Sequence, residues 1–352
     1  MLFRSGYRDP ATVTSNWRLQ AQLHKTDLNA GITLDDADGE VSIVNGDWNG
    51  ETLTAEGYVK LTTADALGLP FDDIRGPFRI EGDQLTVGTP KWATPPPEHD
   101  VQSNAYAGQP LVATIYQGEV HLDAEVLLNG DPGGPPLTRV ANREPQWRAL
   151  ARLSHANLEE WASAHHVKER LRGLVDSQLA LRGRGNDSLT TMGEGWIQIM
   201  PAELYELPIL AQVFQQITFR PADSTAFRVA QAEFTVHDAH FDFGKIALLG
   251  DSLSLAGQGV VYFAGPNREQ VDLKFHSRAK TQRFLPRLFS DNWLQVRVDG
   301  TVSHPHAAMQ GKIPVEDGLK AFLRTVEAGP LNLPRLVTPP LIRPTSMSRR
   351  NP

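Results

Sequence analysis

The sequence predicts a mainly β protein, a long antiparallel sheet built from repeated hairpins with a few short helices. Three observations predict it. One phrase recurs: Gly50-Glu51-Thr52-Leu53-Thr54, Gly82-Asp83-Gln84-Leu85-Thr86, Asn186-Asp187-Ser188-Leu189-Thr190 and Gly250-Asp251-Ser252-Leu253-Ser254. Each copy joins a turn-forming residue, an acid, a small or polar residue, a leucine and a hydroxyl residue. Another glycine follows soon after, at Gly57, Gly88, Gly193 or Gly257. A turn that leads into a strand, used repeatedly, is the pattern of successive hairpins. The second observation is alternation with period two, as in Val271-Asp272-Leu273-Lys274-Phe275-His276 and Leu294-Gln295-Val296-Arg297-Val298-Asp299. That alternation suits a sheet with one covered face. The third is a supply of 29 glycines and 25 prolines, enough for many turns.

The elements follow in order. A strand-rich block fills about 14–90, with alternating runs at 17–23, 41–43, 58–61 and 78–80, and with Asp38-Gly39 and Asn45-Gly46 as hairpin-turn dipeptides. A proline-rich passage at 90–106, including Pro95-Pro96-Pro97, reads as a surface loop. Strands resume at 111–116 and 118–128, followed by a loop at 129–136 rich in glycine and proline. A helix is expected at about 157–170, where Asn157 and Glu160 approximate a capping box and Leu158, Trp161 and Ala162 share a face. Strands at 174–181 and 196–199 precede a second helix at about 202–217, with Leu204, Leu207, Leu210, Phe214 and Ile217 in one stripe. Pro208 sets the regular start of that helix. The stripe reads either as ordinary core or as a plug for the end of the sheet. Strands fill about 226–310, broken by a short helix near 281–289, and another helix spans about 316–327. The resulting division is 1–128 as an N-terminal β segment, 129–148 as a linker, 149–312 as a β region with short helices, 313–329 as a helix, and 330–352 as a disordered tail.

Bulk properties narrow the function. The 352 residues are 40% hydrophobic and 21% charged, which allows a substantial core. With 34 basic and 41 acidic residues the net charge is −7, and no basic stripe carries interleaved aromatics, so nucleic acid is a poor partner. The absence of cysteine excludes disulfides, thiolate metal sites and a cysteine nucleophile. No stretch of roughly 18 apolar residues spans a bilayer, and the N-terminus lacks the apolar core of a signal peptide.

From about 149 to 309 a more specific pattern appears. A short helix leads to Leu179-Ala180-Leu181-Arg182-Gly183-Arg184-Gly185 and then to Met192-Gly193-Glu194-Gly195-Trp196-Ile197-Gln198-Ile199. The helix with Leu204, Leu207-Pro208-Ile209-Leu210 and Phe214 follows, then Phe234-Thr235-Val236, a turn at His237-Asp238-Ala239 and a strand pair around Gly250 to Phe263. This stretch resembles the AsmA-like C-terminal region of TamB-related bacterial envelope proteins, and residues 28–90 form a weaker related stretch. Ala239 departs from the Asp-Gly usual in the family's last turn.

The resemblance implies an elongated, twisted antiparallel sheet curved into a groove with an apolar inside. It implies a non-enzymatic protein that binds or conducts phospholipid acyl chains in outer-membrane and envelope assembly. The implied location is the periplasm or cell envelope at the inner membrane, through an anchor or partner outside this chain, with envelope proteins as further partners and no cofactor. The residues expected to line the groove are Ile197, Ile199, Phe234, Val236, Val261, Phe263, Leu273, Phe275, Leu294 and Val296. Periodicity alone leaves open which face turns inward at Phe234–Val236 and Val260–Phe263. It also leaves open a closed core, which makes the chain a structural or interaction scaffold.

Two chemical readings compete. Gly250-Asp251-Ser252-Leu253-Ser254 reads like the nucleophile block of GDSL esterases, where a serine attacks an acyl carbonyl and a histidine takes its proton. The block lies far from the usual opening position, and no Asp-x-x-His follows it: His276, His304 and His306 have no acid three residues before them. The same slot holds Thr52 and Gln84 in other repeats, as a hairpin position does. His237, Asp238, His240 and Asp242 are the densest group of metal-type ligands, with Asp238, His240 and Asp242 expected on one strand face. The alternative is a turn and a solvated strand face; His165-His166 and the pair His304 and His306 read the same way.

Overall fold

Period-two alternation lets strands pair along their full length, and in the computed structural model they form one antiparallel sheet of 17 strands. The structure describes residues 4–5, 14–29, 33–50, 52–66, 68–88, 109–128, 145–185, 187–204, 206–218, 227–250, 253–279, 293–312 and 314–329. The strands are β1 (Arg4–Ser5), β2 (Ser15–Asn29), β3 (Thr33–Trp48), β4 (Leu53–Ala66), β5 (Leu69–Glu81), β6 (Gln84–Val87), β7 (Leu111–Ile115), β8 (Gly118–Leu127) and β9 (Gln146–Asn157). They continue with β10 (Arg172–Arg184), β11 (Met192–Glu203), β12 (Val229–His237), β13 (His240–Leu249), β14 (Leu253–Tyr262), β15 (Gln270–Ala279), β16 (Leu294–Thr301) and β17 (Pro305–Lys312). Three helices join them: α1 (Leu158–Ala164), α2 (Pro208–Thr218) and α3 (Asp317–Ala328). The expected passage at 90–106, the loop at 129–136, the helix near 281–289 and the tail from 330 lie outside the described residues.

The sheet is a meander in which successive strands pair. β6 and β7 share one position, both flanked by β5 and by β8. The β8–β9 ladder, from Glu119↔Ser154 to Leu127↔Gln146, joins the N-terminal and C-terminal strand series into one sheet. All four copies of the repeated phrase fall at hairpin connections. Gly50 (φ 95°) and Gly82 (φ 62°) take the left-handed conformations those turns require. Asp187 caps a 3₁₀ turn by accepting from the Leu189 N–H at 2.9 Å, and Gly250 N–H donates to the Leu253 carbonyl at 2.9 Å.

Two expected turns are strand interior instead. Asp38-Gly39 and Asn45-Gly46 both lie within β3. Gly46 sits beneath the Trp17 indole of β2, where a Cβ would stand 2.6 Å from the ring. The glycine is there for close approach, not for chain reversal. Gly57 on β4 does the same for Phe78: a Cβ would lie 2.2 Å from the Ser42 carbonyl and 2.4 Å from the Phe78 ring. Because the backbone contact cannot yield cheaply, Gly57→Val is expected to lower stability by about 2–4 kcal/mol, read as a shift in the denaturant midpoint.

α1 is shorter than the sequence suggests, whereas α2 starts where Pro208 sets it. Asn157 does cap α1, accepting from the Glu159 N–H at 2.9 Å, but Glu160 turns to Gln117 of the β7–β8 hairpin and the capping box stays unclosed. α1 ends at Ala164 and does not reach 170, and His166 then takes a left-handed φ of 54°. α2 begins at Pro208, so Leu204 lies ahead of it, still buried in the same core.

The helices occupy opposite faces. α2 leaves from β11 and returns to β12, yet it packs against β16 and β17. In a flat sheet β12 and β17 stand about 24 Å apart at ~4.8 Å per strand, twice the roughly 10–12 Å width of a helix. The sheet therefore curls around α2, and the face beneath that helix is concave. Leu248 and Leu255 point to this side, while Ala247, Leu249 and Ala256 point to the other and hold α3.

The convex face carries the charges. Glu125 and Arg148 are directly opposite across β8–β9, both buried and ion-paired, and Gln84 donates to the same carboxylate. Arg148→Met leaves a buried carboxylate without its partner and is expected to cost about 3–5 kcal/mol, whereas Glu125→Leu with Arg148→Met recovers most of that loss. Equilibrium unfolding of the three variants checks it.

Candidate functional site

Because side chains alternate sides, the strand register fixes which residues share a face. One concave row can be followed through the ladders from Leu19 to Ile43, Gly57, Phe78, Val87 and Ala124. It continues through Ala149, Leu181, Gly193, Val236, Phe241, Val261 and Val271. No member is polar. The neighbouring row is alike, from Ala21, Val41 and Val59 to Leu179, Phe234, Phe243 and Leu273. The reverse face of the same strands carries Glu40, Lys60 and Arg75 in one row and Glu194, Thr235 and Asp242 in another.

Along these two rows the concave face is half-exposed for most of its course; Leu23, Leu61, Ile74 and Ala113 form a buried cluster beside them on β2–β7, against which Val41 and Val59 pack, and the β15–β16 end is filled. Val41, Val59, Phe78, Leu122, Leu179 and Leu181 are half-buried, and Leu19 is 42% exposed. Among the described residues no second layer covers them. Toward β15 and β16 the same face is sealed: Leu273, Phe275, Val296 and Val298 are buried in a cluster with Leu210, Val213 and Phe214 of α2. Phenylalanines mark the transition. Phe234 lies 5.3 Å from Phe241 and 5.4 Å from Phe243, and Phe263 lies 4.8 Å from Phe241. Gly195 lies under the Phe234 ring, where a Cβ would stand 2.6 Å from it.

The register brings the ten residues expected from the sequence to this one face. Ile199 is in line with Ala230, Leu248, Leu255, Ser277 and Leu294, and Ile197 with Ala232, Ile246, Gly257, Phe275 and Val296. Phe234, Val236, Val261 and Leu273 lie in the two rows above, and Phe263 stacks on Phe241 just past β14. Their settings differ. Ile197, Ile199, Phe234, Val261, Phe263 and Leu294 are half-buried, whereas Leu273, Phe275 and Val296 form the floor under α2 and Val236 is buried among its neighbours. The sequence marks 1–128 as a groove segment, with 28–90 an upstream stretch of the same groove, but singles out no lining residues there. Their signal was present in Val120, Leu122, Ala124 and Val126, which alternate along β8.

The chemical candidates do not assemble. Asp238 and Ala239 form the two-residue β12–β13 turn, both left-handed (φ 47° and 60°), so Asp238 does not share a strand face with Asp242. The His237 and His240 rings pack 4.1 Å apart across the hairpin. Among the described residues no three His, Asp or Glu converge on a common point. His165 meets the Tyr116 hydroxyl at 2.9 Å, burial and then Asp65 pushing that phenol above its ordinary value. His304 contacts Ser303, and His306 lies 3.4 Å from Asp299. Ser252 lies outside the described residues; Gly250 and Leu253 on either side of it close an ordinary hairpin. No described helix is long and apolar enough to cross a membrane.

No protein-family model, curated protein or solved structure matches the chain.

Proposed function

We propose that this chain binds phospholipid acyl chains along its concave face and works without chemistry of its own, as a carrier in cell-envelope and outer-membrane assembly. One observation carries the reading: an apolar row unbroken from β2 to β15, half-exposed for most of its course. A contiguous apolar surface of that extent calls for a cover. From β2 to β12 the open stretch spans nine strand steps, on the order of 45 Å. One leaflet of hydrocarbon is about 15 Å thick, so the groove has room for roughly three extended acyl chains. Each buried methylene contributes about 0.8 kcal/mol, and a dozen give on the order of 10 kcal/mol before ordering costs.

The reading includes the AsmA-like relationship, a location in the periplasm at the inner membrane, and attachment through an anchor or partner outside these residues. It also gives the groove a direction, since α2 fills the β15–β17 end and lipid enters from the β2 side. The filled end favours a second reading, a scaffold with a closed core, which accounts for β15–β17 and for the buried cluster on β2–β7 but not for the half-exposed apolar rows that run between them.

Native mass spectrometry and lipid extraction of the purified chain test the first reading. Co-purifying phospholipid, displaced by detergent, is the expected result. A lipid-free chain that takes up no phospholipid from vesicles overturns it in favour of the scaffold.

A further inference from the structure

Among the described residues, five convex-face side chains are more than nine-tenths buried yet carry polar atoms without a hydrogen-bond partner: Trp196, Gln231, Ser254, His276 and Gln295. Both polar atoms of Gln231 and both ring nitrogens of His276 are among them. Register sets three of the five in a single row, Gln231↔Ala247↔Ala256↔His276↔Gln295. The two alanines at its centre are the seat of α3, packing with Val315, Leu319, Phe322, Leu323 and Val326. The helix thus lies in a shallow apolar saddle with an unsatisfied amide on one side and an unsatisfied imidazole and amide on the other. α3 packs on β13 and β14, the strands between these groups, and the groups stay buried with no hydrogen bond returned, so each works against the docked state. Native interiors rarely carry so many such groups together.

Little else holds the helix. Its N-cap, Glu316, makes no side-chain capping bond, and four residues separate α3 from β17. Lys245 approaches the Phe322 ring at 5.4 Å but is already paired with Glu233.

We propose that α3 is a releasable strap, seated on the convex face while His276 is neutral and let go when that ring takes up a proton. The charged groups around His276 are few. Glu316 stands at the head of α3 and Lys274 lies on the same strand; Ala256 and Gln295 flank the ring without charge. Asp317 pairs with Lys320, and Arg297 with Asp272. Burial dominates and holds the imidazole below its ordinary value of 6.5, Glu316 raises it in part, and Lys274 lowers it. The docked state therefore prefers the neutral ring. Docking is fully favoured above the ordinary value and weakens as pH falls below it toward the depressed one. Release uncovers the alanine saddle and lets Gln231, His276 and Gln295 reach water.

Hydrogen exchange of the whole chain at about pH 7.5 and about pH 5.5, corrected for intrinsic rates, tests this. The α3 amides are expected to lose about tenfold protection at the lower pH, relative to β14 and β15. His276→Gln should abolish that pH dependence, and Gln231→Leu should raise α3 protection at both values. Equal α3 protection at the two values overturns the proposal, as does loss in step with β14 and β15. The same loss in His276→Gln also overturns it. If His276→Gln does not fold, Gln231→Leu decides alongside the native profile, and unchanged or lower α3 protection in it counts against the strap.

Discussion

Replacing Leu122 and Leu179 together by aspartate is expected to empty the groove while leaving the sheet intact. The two leucines lie in one concave row, separated by Ala151 of β9. Both are half-buried in the folded chain, so carboxylates at these positions keep contact with water and cost the fold little. A bound acyl chain removes that water. Burying a polar group without a partner costs about 2–7 kcal/mol, and even the lower bound corresponds to roughly 30-fold or more in affinity. Binding of a fluorescent fatty-acid analogue should therefore weaken by at least about 30-fold, with thermal unfolding nearly unchanged. Lys60→Asp on the convex face of β4, itself exposed, is the matched control and should bind as the native chain does. Equal loss in the control, or undiminished binding in the double variant, removes the concave face from consideration.

Much of this face was readable before any coordinates, because alternation is a local property. Val271, Leu273 and Phe275 on β15 and Leu294, Val296 and Val298 on β16 announce a shared face by their spacing, and the ladders place them on one. The repeated phrases were equally legible, since turn residues act within a few positions of themselves. Features that depend on a neighbouring strand were not. Asn45-Gly46 has hairpin chemistry, yet the same glycine is what a tryptophan ring from β2 needs beneath it, and nothing near Gly46 in sequence reveals Trp17 as its neighbour. The N-cap of α1 was visible at Asn157, but the open capping box was not, because Glu160 is drawn away by Gln117 from a distant hairpin. The charge that acts on His276, Glu316, arrives about 40 residues later at the head of α3. The seat of α2 likewise rests on strands that follow it by about 80 residues, and only curvature brings them together.

That curvature makes α2 the element on which capacity and stability meet, and Phe214→Ala separates the two. The Phe214 ring is 5% exposed and stands 5.3 Å from the ring of Phe227, within the cluster that includes Leu255, Val296 and Val298. Truncation removes transfer free energy and leaves a cavity, for an expected loss of about 3–5 kcal/mol, read from the denaturant midpoint of the lipid-free chain. The space lies at the closed end of the groove and is lined by residues continuous with its open floor. An acyl chain can extend into it, so phospholipid is expected to recover part of the lost stability through its preference for the folded state. Ala55→Gly, a truncation on β4 at a residue only 1% exposed and remote from α2, supplies the comparison. Lipid should stabilise Phe214→Ala more than it stabilises either the native chain or Ala55→Gly. If lipid gives all three the same increment, the α2 end is ordinary core, and the acyl chains stop short of it.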